Sequence, residues 1–217
     1  MSNAYGDHSD LAAALFYTMG ASIPHDSRLE EEARKLLLSI PNQEKCLLKV
    51  IELCGTPATP KQLYILTKAY SWLGAKYRKE TIRFSSQYLN SDGWGDLPHS
   101  VRTEDGISVS QSASCRASVF IDLAQAQEGE GNYEAAFMNY LEAYRLEPYN
   151  AMDAIKAADV ITKSRSREEA LKFLRNQKSS GYYLPIKYLD PLGNRCRNDT
   201  FKELLDSHLR KLEDKGK

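Results

Sequence analysis

The side chains that could do chemistry are scattered along this chain, and their spacing assembles no recognisable centre. Four histidines, His8, His25, His99 and His208, each lack a second histidine or a cysteine at helical ligand spacing. Isolated histidines of this kind read as packed or solvated side chains rather than as metal ligands or general bases. Four cysteines, Cys46, Cys54, Cys115 and Cys196, form no C-x-x-C pair, so they read as reduced thiols and no zinc site is expected. Asp92-Gly93-Trp94-Gly95-Asp96 sets two carboxylates round a glycine turn. Calcium takes about six or more oxygens, so the segment reads as a solvated turn with Trp94 folded onto neighbouring helices. Gly129 and Gly131 lack the third glycine and the preceding strand of a dinucleotide loop, and read as a turn at a helix end. Asn198-Asp199-Thr200 reads as the capping region of a last helix. No P-loop, H-E-x-x-H, G-x-S-x-G or EF-hand pattern occurs, which removes the common enzyme classes these serve. The expectation is a non-enzymatic protein with no cofactor and no metal.

Charge narrows the class of partner. Lys plus Arg equals Asp plus Glu, 29 of each, so no global field draws the chain to nucleic acid, and no nucleic-acid partner is expected. The longest apolar run, Leu11 to Tyr17, is far shorter than the roughly 20 residues that cross a bilayer, and no basic segment precedes it. No membrane association and a cytoplasmic location are therefore expected. The distribution of charge is uneven: Asp122, Glu128, Glu130, Glu134, Glu142, Glu147 and Asp153 face one base, Arg145, whereas 163–197 is predominantly basic. Attraction between neighbouring units accounts for this better than a dedicated anion or RNA site.

The elements that must position any site are helical. Apolar residues recur at helical spacing and no run alternates. Ser9 or Asp10 opens a first helix ending near Gly20, and Ser27 caps a second that Pro41 stops. Asn42 caps a third, through Cys46, Leu47, Val50 and Leu53 to Gly55. Two more helices span Lys61 to Leu89, joined near Gly74 to Tyr77. Residues 90–112, with Gly93, Gly95, Pro98 and Gly106, read as a long loop, as does 179–199 with Tyr182, Tyr183 and Tyr188. A last helix over 199–215 carries Phe201, Leu204, Leu205, His208, Leu209 and Leu212 on one face.

Between Ala117 and Asn150, Phe120, Leu123, Ala124, Gly131, Tyr133, Ala136, Tyr140, Ala143 and Pro148 give a helix-turn-helix pattern of bulky, small and turn residues. In this the segment resembles a tetratricopeptide repeat (TPR). A second, weaker match follows without a gap over 151–178, carried by Ala154, Ala157, Ala158, Ala170 and Leu174, with Arg165 in place of the turn glycine. A divergent match over 60–89 uses Leu63, Leu66, Tyr70, Gly74, Tyr77 and Tyr88, with one extra residue after Gly74 and Thr81 at a small-residue position. Residues 27–54 fit a more degenerate layer. The resemblance implies an all-α fold, a TPR-like α-α superhelix (a helical repeat solenoid) forming a single domain over 1–217. The N-terminal helices over 9–55 would lead into it, and a C-terminal capping helix would cover its last repeat.

It also implies a function. In this family the first helix of each repeat lines a concave groove that holds a peptide or a partner helix. The matching positions here are Tyr64, Lys68, Ser71 and Trp72, then Ile121, Asp122, Gln125 and Glu128, then Met152, Ile155, Lys156 and Asp159. Tyr64, Ile121 and Ile155 also suit ordinary packing between helices. A chaperone-tail adaptor is disfavoured: Tyr64 and Lys68 replace the expected Lys and Asn, Asp122 replaces a second Asn, and Met152 replaces a second Lys, leaving Lys156 with its charge. The expected function is a protein or peptide scaffold. The alternatives are a regulatory peptide sensor with the 90–112 loop as its lid, and an enzyme with an unfamiliar site in that loop.

Overall fold

A computed structural model describes residues 43–91, 101–102, 108–109, 111–146, 151–179 and 201–214. These are almost wholly helical: α1 Gln43–Cys54, α2 Pro60–Leu73, a 3-10 turn Ala75–Tyr77, α3 Arg78–Leu89, α4 Gln111–Gly129, α5 Tyr133–Leu146, α6 Ala151–Ser164, α7 Arg167–Ser179 and α8 Phe201–Asp214. The fold is all-α. The expected helices at 9–20 and 27–40, and Tyr182, Tyr183 and Tyr188, lie outside the described residues.

Local chemistry sets the element ends. At α2, Thr59 Oγ1 accepts from the Gln62 backbone N–H at 3.3 Å while Gln62 Oε1 accepts from the Thr59 backbone N–H at 3.1 Å, and Pro60 occupies the first turn. This reciprocal box satisfies two orphan donors and a proline removes a third. Between α4 and α5 the chain reverses at Gly131, whose φ of +79° suits a residue without a Cβ. The extra residue after Gly74 is taken up by the 3-10 turn.

Each helix packs on the next in sequence, and α2 also meets α4, while α8 meets both α6 and α7. The core is correspondingly a series of local clusters. Leu47 and Val50 meet Ile65 and Ala69 across α1 and α2, and Tyr64, Tyr88, Cys115 and Val119 join α2, α3 and α4. Ala124, Ala136, Tyr140, Ala157 and Val160 then join α4, α5 and α6. The small residues at this last junction are fully buried, so the helices approach closely and a larger side chain would force them apart.

Two features differ from the sequence reading. The helix expected from Ala117 begins at Gln111, and the stretch read as a plain loop contains a two-residue antiparallel pairing, Val101 with Val109 and Arg102 with Ser108. Thr81, at a position where a small residue is expected, is buried, and its hydroxyl donates to the Tyr77 carbonyl at 3.1 Å. Bonding back to the preceding turn satisfies the hydroxyl within its own helix.

Candidate functional site

The candidate inner-face residues lie on α2, α4 and α6. Their side chains show how these three helices are joined. Asp122 on α4 accepts from Lys68 Nζ at 2.6 Å and from Ser71 Oγ at 2.8 Å, both on α2. Lys68 also donates to Ser118 Oγ and lies 5.9 Å from the centre of the Tyr64 ring. Lys68 and Asp122 are 8% and 7% exposed, and Tyr64 only 3%. A charge so placed is tolerable because each ion finds both an opposite charge and hydrogen bonds.

The next junction repeats the device at the surface. Glu128, at the end of α4, accepts from Lys163 Nζ of α6 at 2.6 Å and from the Tyr140 hydroxyl at 3.1 Å. Burial, and then the Glu128 charge, push the Tyr140 hydroxyl well above the ordinary tyrosine range. The hydrogen bond to Glu128 likewise raises the Lys163 ammonium. Arg165, which replaces a turn glycine, forms a two-pronged pair with Glu134 at 2.9 and 2.7 Å, and Arg78 reaches Glu130 at 4.0 Å. The uneven charge distribution is therefore spent on neighbours: four acids of the acidic stretch each meet a base from an adjacent helix pair.

On α6, His208 Nε2 of α8 stands 2.9 Å from Asp159 Oδ1. Burial acts to raise the Asp159 carboxyl, but His208, Lys156 and Lys163 outweigh it and hold the group below its ordinary value.

The nine candidates thus separate. Tyr64, Lys68 and Asp122 are buried between α2 and its neighbours, and Trp72 packs partly buried on the α1 and α2 cluster beside Ile51 and Cys54. Glu128 and Asp159 are half-buried and engaged with Lys163 and His208. Gln125, Met152 and Lys156 are exposed. Sequence reasoning did not find Ser118, Lys163 or His208 as partners of candidate residues. The available signal was charge: Lys68 with Asp122, Glu128 with Lys163 and Asp159 with His208 each place opposite signs on alternate helices, α2 with α4, α4 with α6 and α6 with α8.

Of the loop read as a possible lid, only residues 90–91, 101–102, 108–109 and 111–112 are described, and Asp92 to Asp96 are outside them. Among the described residues no cluster of three His, Cys, Asp or Glu side chains is placed to hold a metal ion, and no helix is long and apolar enough to cross a membrane. In comparisons with known proteins, no family model, no curated protein and no solved structure matches this chain.

Proposed function

We propose that this chain is a divergent TPR-like solenoid that binds a protein or peptide segment in the groove lined by the first helices of its repeats, α2, α4 and α6, without catalysis. The observation that carries the reading is the series of cross-helix pairs, Lys68 with Asp122 and Glu128 with Lys163. Each links a first helix to the first helix of the next pair, which is the arrangement that sets such helices side by side along one face. The order of packing and the buried alanines of α2, α4, α5, α6 and α7 support the same reading.

Burial narrows the binding surface. Tyr64, Lys68 and Asp122 serve the framework, and contact with a partner falls to Gln125, Met152 and Lys156, with Glu128 and Asp159 at their margin. This set offers an amide that can read a backbone, an apolar side chain 46% exposed, and a cation. An extended or helical segment with apolar and polar groups in alternation suits it.

The test is capture of a partner from a cell lysate by the immobilised chain, followed by quantitation against a variant carrying Gln125→Ala, Met152→Glu and Lys156→Glu. Loss of at least tenfold in captured partner, with an unchanged circular dichroism spectrum, is expected. Undiminished capture by the folded triple variant would sink the groove reading.

A further inference from the structure

Several bases of this stack are spent on pairs between helices, and one group is left free together. Lys68, Lys163 and Arg165 meet Asp122, Glu128 and Glu134, and Arg175 and Lys178 of α7 meet Glu213 and Asp206 of α8. Lys76 in the 3-10 turn and Lys79 and Arg83 on α3 are exposed, and no carboxylate among the described residues pairs with any of them. The stretch from Ala75 to Asn90 carries a single acid, Glu80.

Local structure sets the three cations in one row. Thr81, Phe84, Ser85 and Tyr88 form the buried stripe of α3, so Lys79 and Arg83, one turn apart, project from its opposite side. Packing ties Lys76 to the same row. Its ammonium lies 5.2 Å from the centre of the Tyr77 ring, Tyr77 lies 5.8 Å from Tyr70, and Tyr70 stacks on Phe84 at 5.3 Å with 6° between the planes. The Arg83 guanidinium then lies over Phe84 at 4.3 Å. Three rings in contact thus carry a cation at each end. Tyr70 and Tyr77 are half-buried. Burial, and then the Glu80 charge, push the Tyr70 hydroxyl up, with Arg83 acting against them, so the one acid stands beside the rings and offsets only part of the positive charge.

We propose that this row is a second docking surface, set on a helix that contributes nothing to the groove, and that it takes a carboxylate-rich peptide segment of a partner protein. Three free cations against one acid make the surface positive in a chain whose charges otherwise balance, and complementary charge selects an acidic partner. A guanidinium stacked on a ring keeps its N–H edge free, from which Arg83 can donate two parallel hydrogen bonds to one carboxylate. The rings also restrain Lys76 and Arg83 before a partner arrives, which lowers the ordering cost of binding. From Lys76 to Arg83 the row runs about 10 Å at helical rise, the length of about three extended residues. Each ring already has two neighbours in the row, so a nucleobase finds no open face to stack on, and this favours a peptide over single-stranded nucleic acid.

The test is fluorescence anisotropy of a labelled deca-glutamate peptide titrated with the chain at physiological ionic strength, beside a labelled oligothymidylate of the same length. Binding of the peptide, and weaker binding of the oligonucleotide, is expected. Lys76→Glu, Lys79→Glu and Arg83→Glu together should weaken peptide binding by at least about tenfold, each exposed pair contributing a few-fold. A control chain with Lys45→Glu, Lys172→Glu and Lys211→Glu changes the total charge equally, at exposed lysines on three other helices. Screening over about 8 Å confines their influence, so the control should bind within about twofold of wild type. All six positions are exposed, and both variants are expected to keep the wild-type circular dichroism spectrum. Equal weakening in the two variants would reduce the effect to net charge and overturn the proposal. Absence of binding to deca-glutamate would overturn it as well, and tighter binding of oligothymidylate would reassign the row to nucleic acid.

Discussion

The junction of α2 with α4 and the junction of α8 with α6 and α7 join helices by opposite means. The first is closed on a buried charge: Lys68, Asp122, Ser71 and Ser118 form one hydrogen-bonded group, all in or near the interior. The second buries leucines and leaves its α7–α8 ions at the surface beside an open cleft. A buried ion pair has one satisfactory geometry, since any slip of the helices strands a charge. Apolar contacts are non-directional and tolerate small shifts more readily. The α2–α4 junction is therefore the one whose register is fixed by charge.

The most severe way to break that junction is Asp122→Ala, which leaves Lys68 inside without its counter-ion. A loss of about 3–5 kcal/mol is expected, read as a lowered urea midpoint. Replacing both partners, Lys68→Met with Asp122→Leu, removes the stranded charge and is expected to return stability to within about 1 kcal/mol of wild type. That double variant would keep the packing of Tyr64 with Cys115 and Val119 but lose the charge that fixes the register. If the single and double variants were equally unstable, the junction would depend on shape and not on charge.

At the other junction Leu205→Ala removes a fully buried side chain and is expected to cost about 2–4 kcal/mol, the lost burial plus the cavity left behind. Its signature should be local. Because each helix is supported chiefly by its neighbours, amide exchange should accelerate in α8 and the facing part of α7 while α2 to α4 keep their protection. Uniform acceleration across the chain would show that the end of the stack is as tightly coupled as the middle.

These two regions also differ in how far the sequence revealed them. Helices α5, α6 and α7 are legible because Gly131, Ala136, Ala143, Ala154 and Ala170 report close approach through their size, and size is a property of one residue. The last helix is legible from its leucine spacing alone. The candidate groove was only half legible. Lys68 and Asp122 are charged, and charge in a sequence reads as surface; their burial depends on meeting each other across a separation no local pattern encodes. Tyr64 is equally suited to a core or a groove by type, and Ser118 carries no signal at all. The position of α4's first turn was missed because Gln111 to Ser114 lack the apolar periodicity that marks a helix start.

The smallest expected effect separates the two junctions by their response to acid. His208, Lys156 and Lys163 overcome burial to hold the Asp159 carboxyl below its ordinary value. A group depressed in the folded state contributes stability that is present above its unfolded pKa, about 3.9, and is lost as pH falls through the lower folded value. Asp159 is more than one-third exposed, so its share is under about 1 kcal/mol after screening. Between pH 7 and about 5 this group contributes no slope. Below about pH 4 the hold of α8 on α6 should weaken, and Asp159→Asn should both lower stability slightly at pH 7 and flatten the acid-side decline of exchange protection in α8. Identical declines in wild type and the variant between pH 5 and 3 would remove Asp159 from the account and leave α8 held by its leucines and the α7 pairs, which would make the contrast with the buried Lys68–Asp122 junction sharper still.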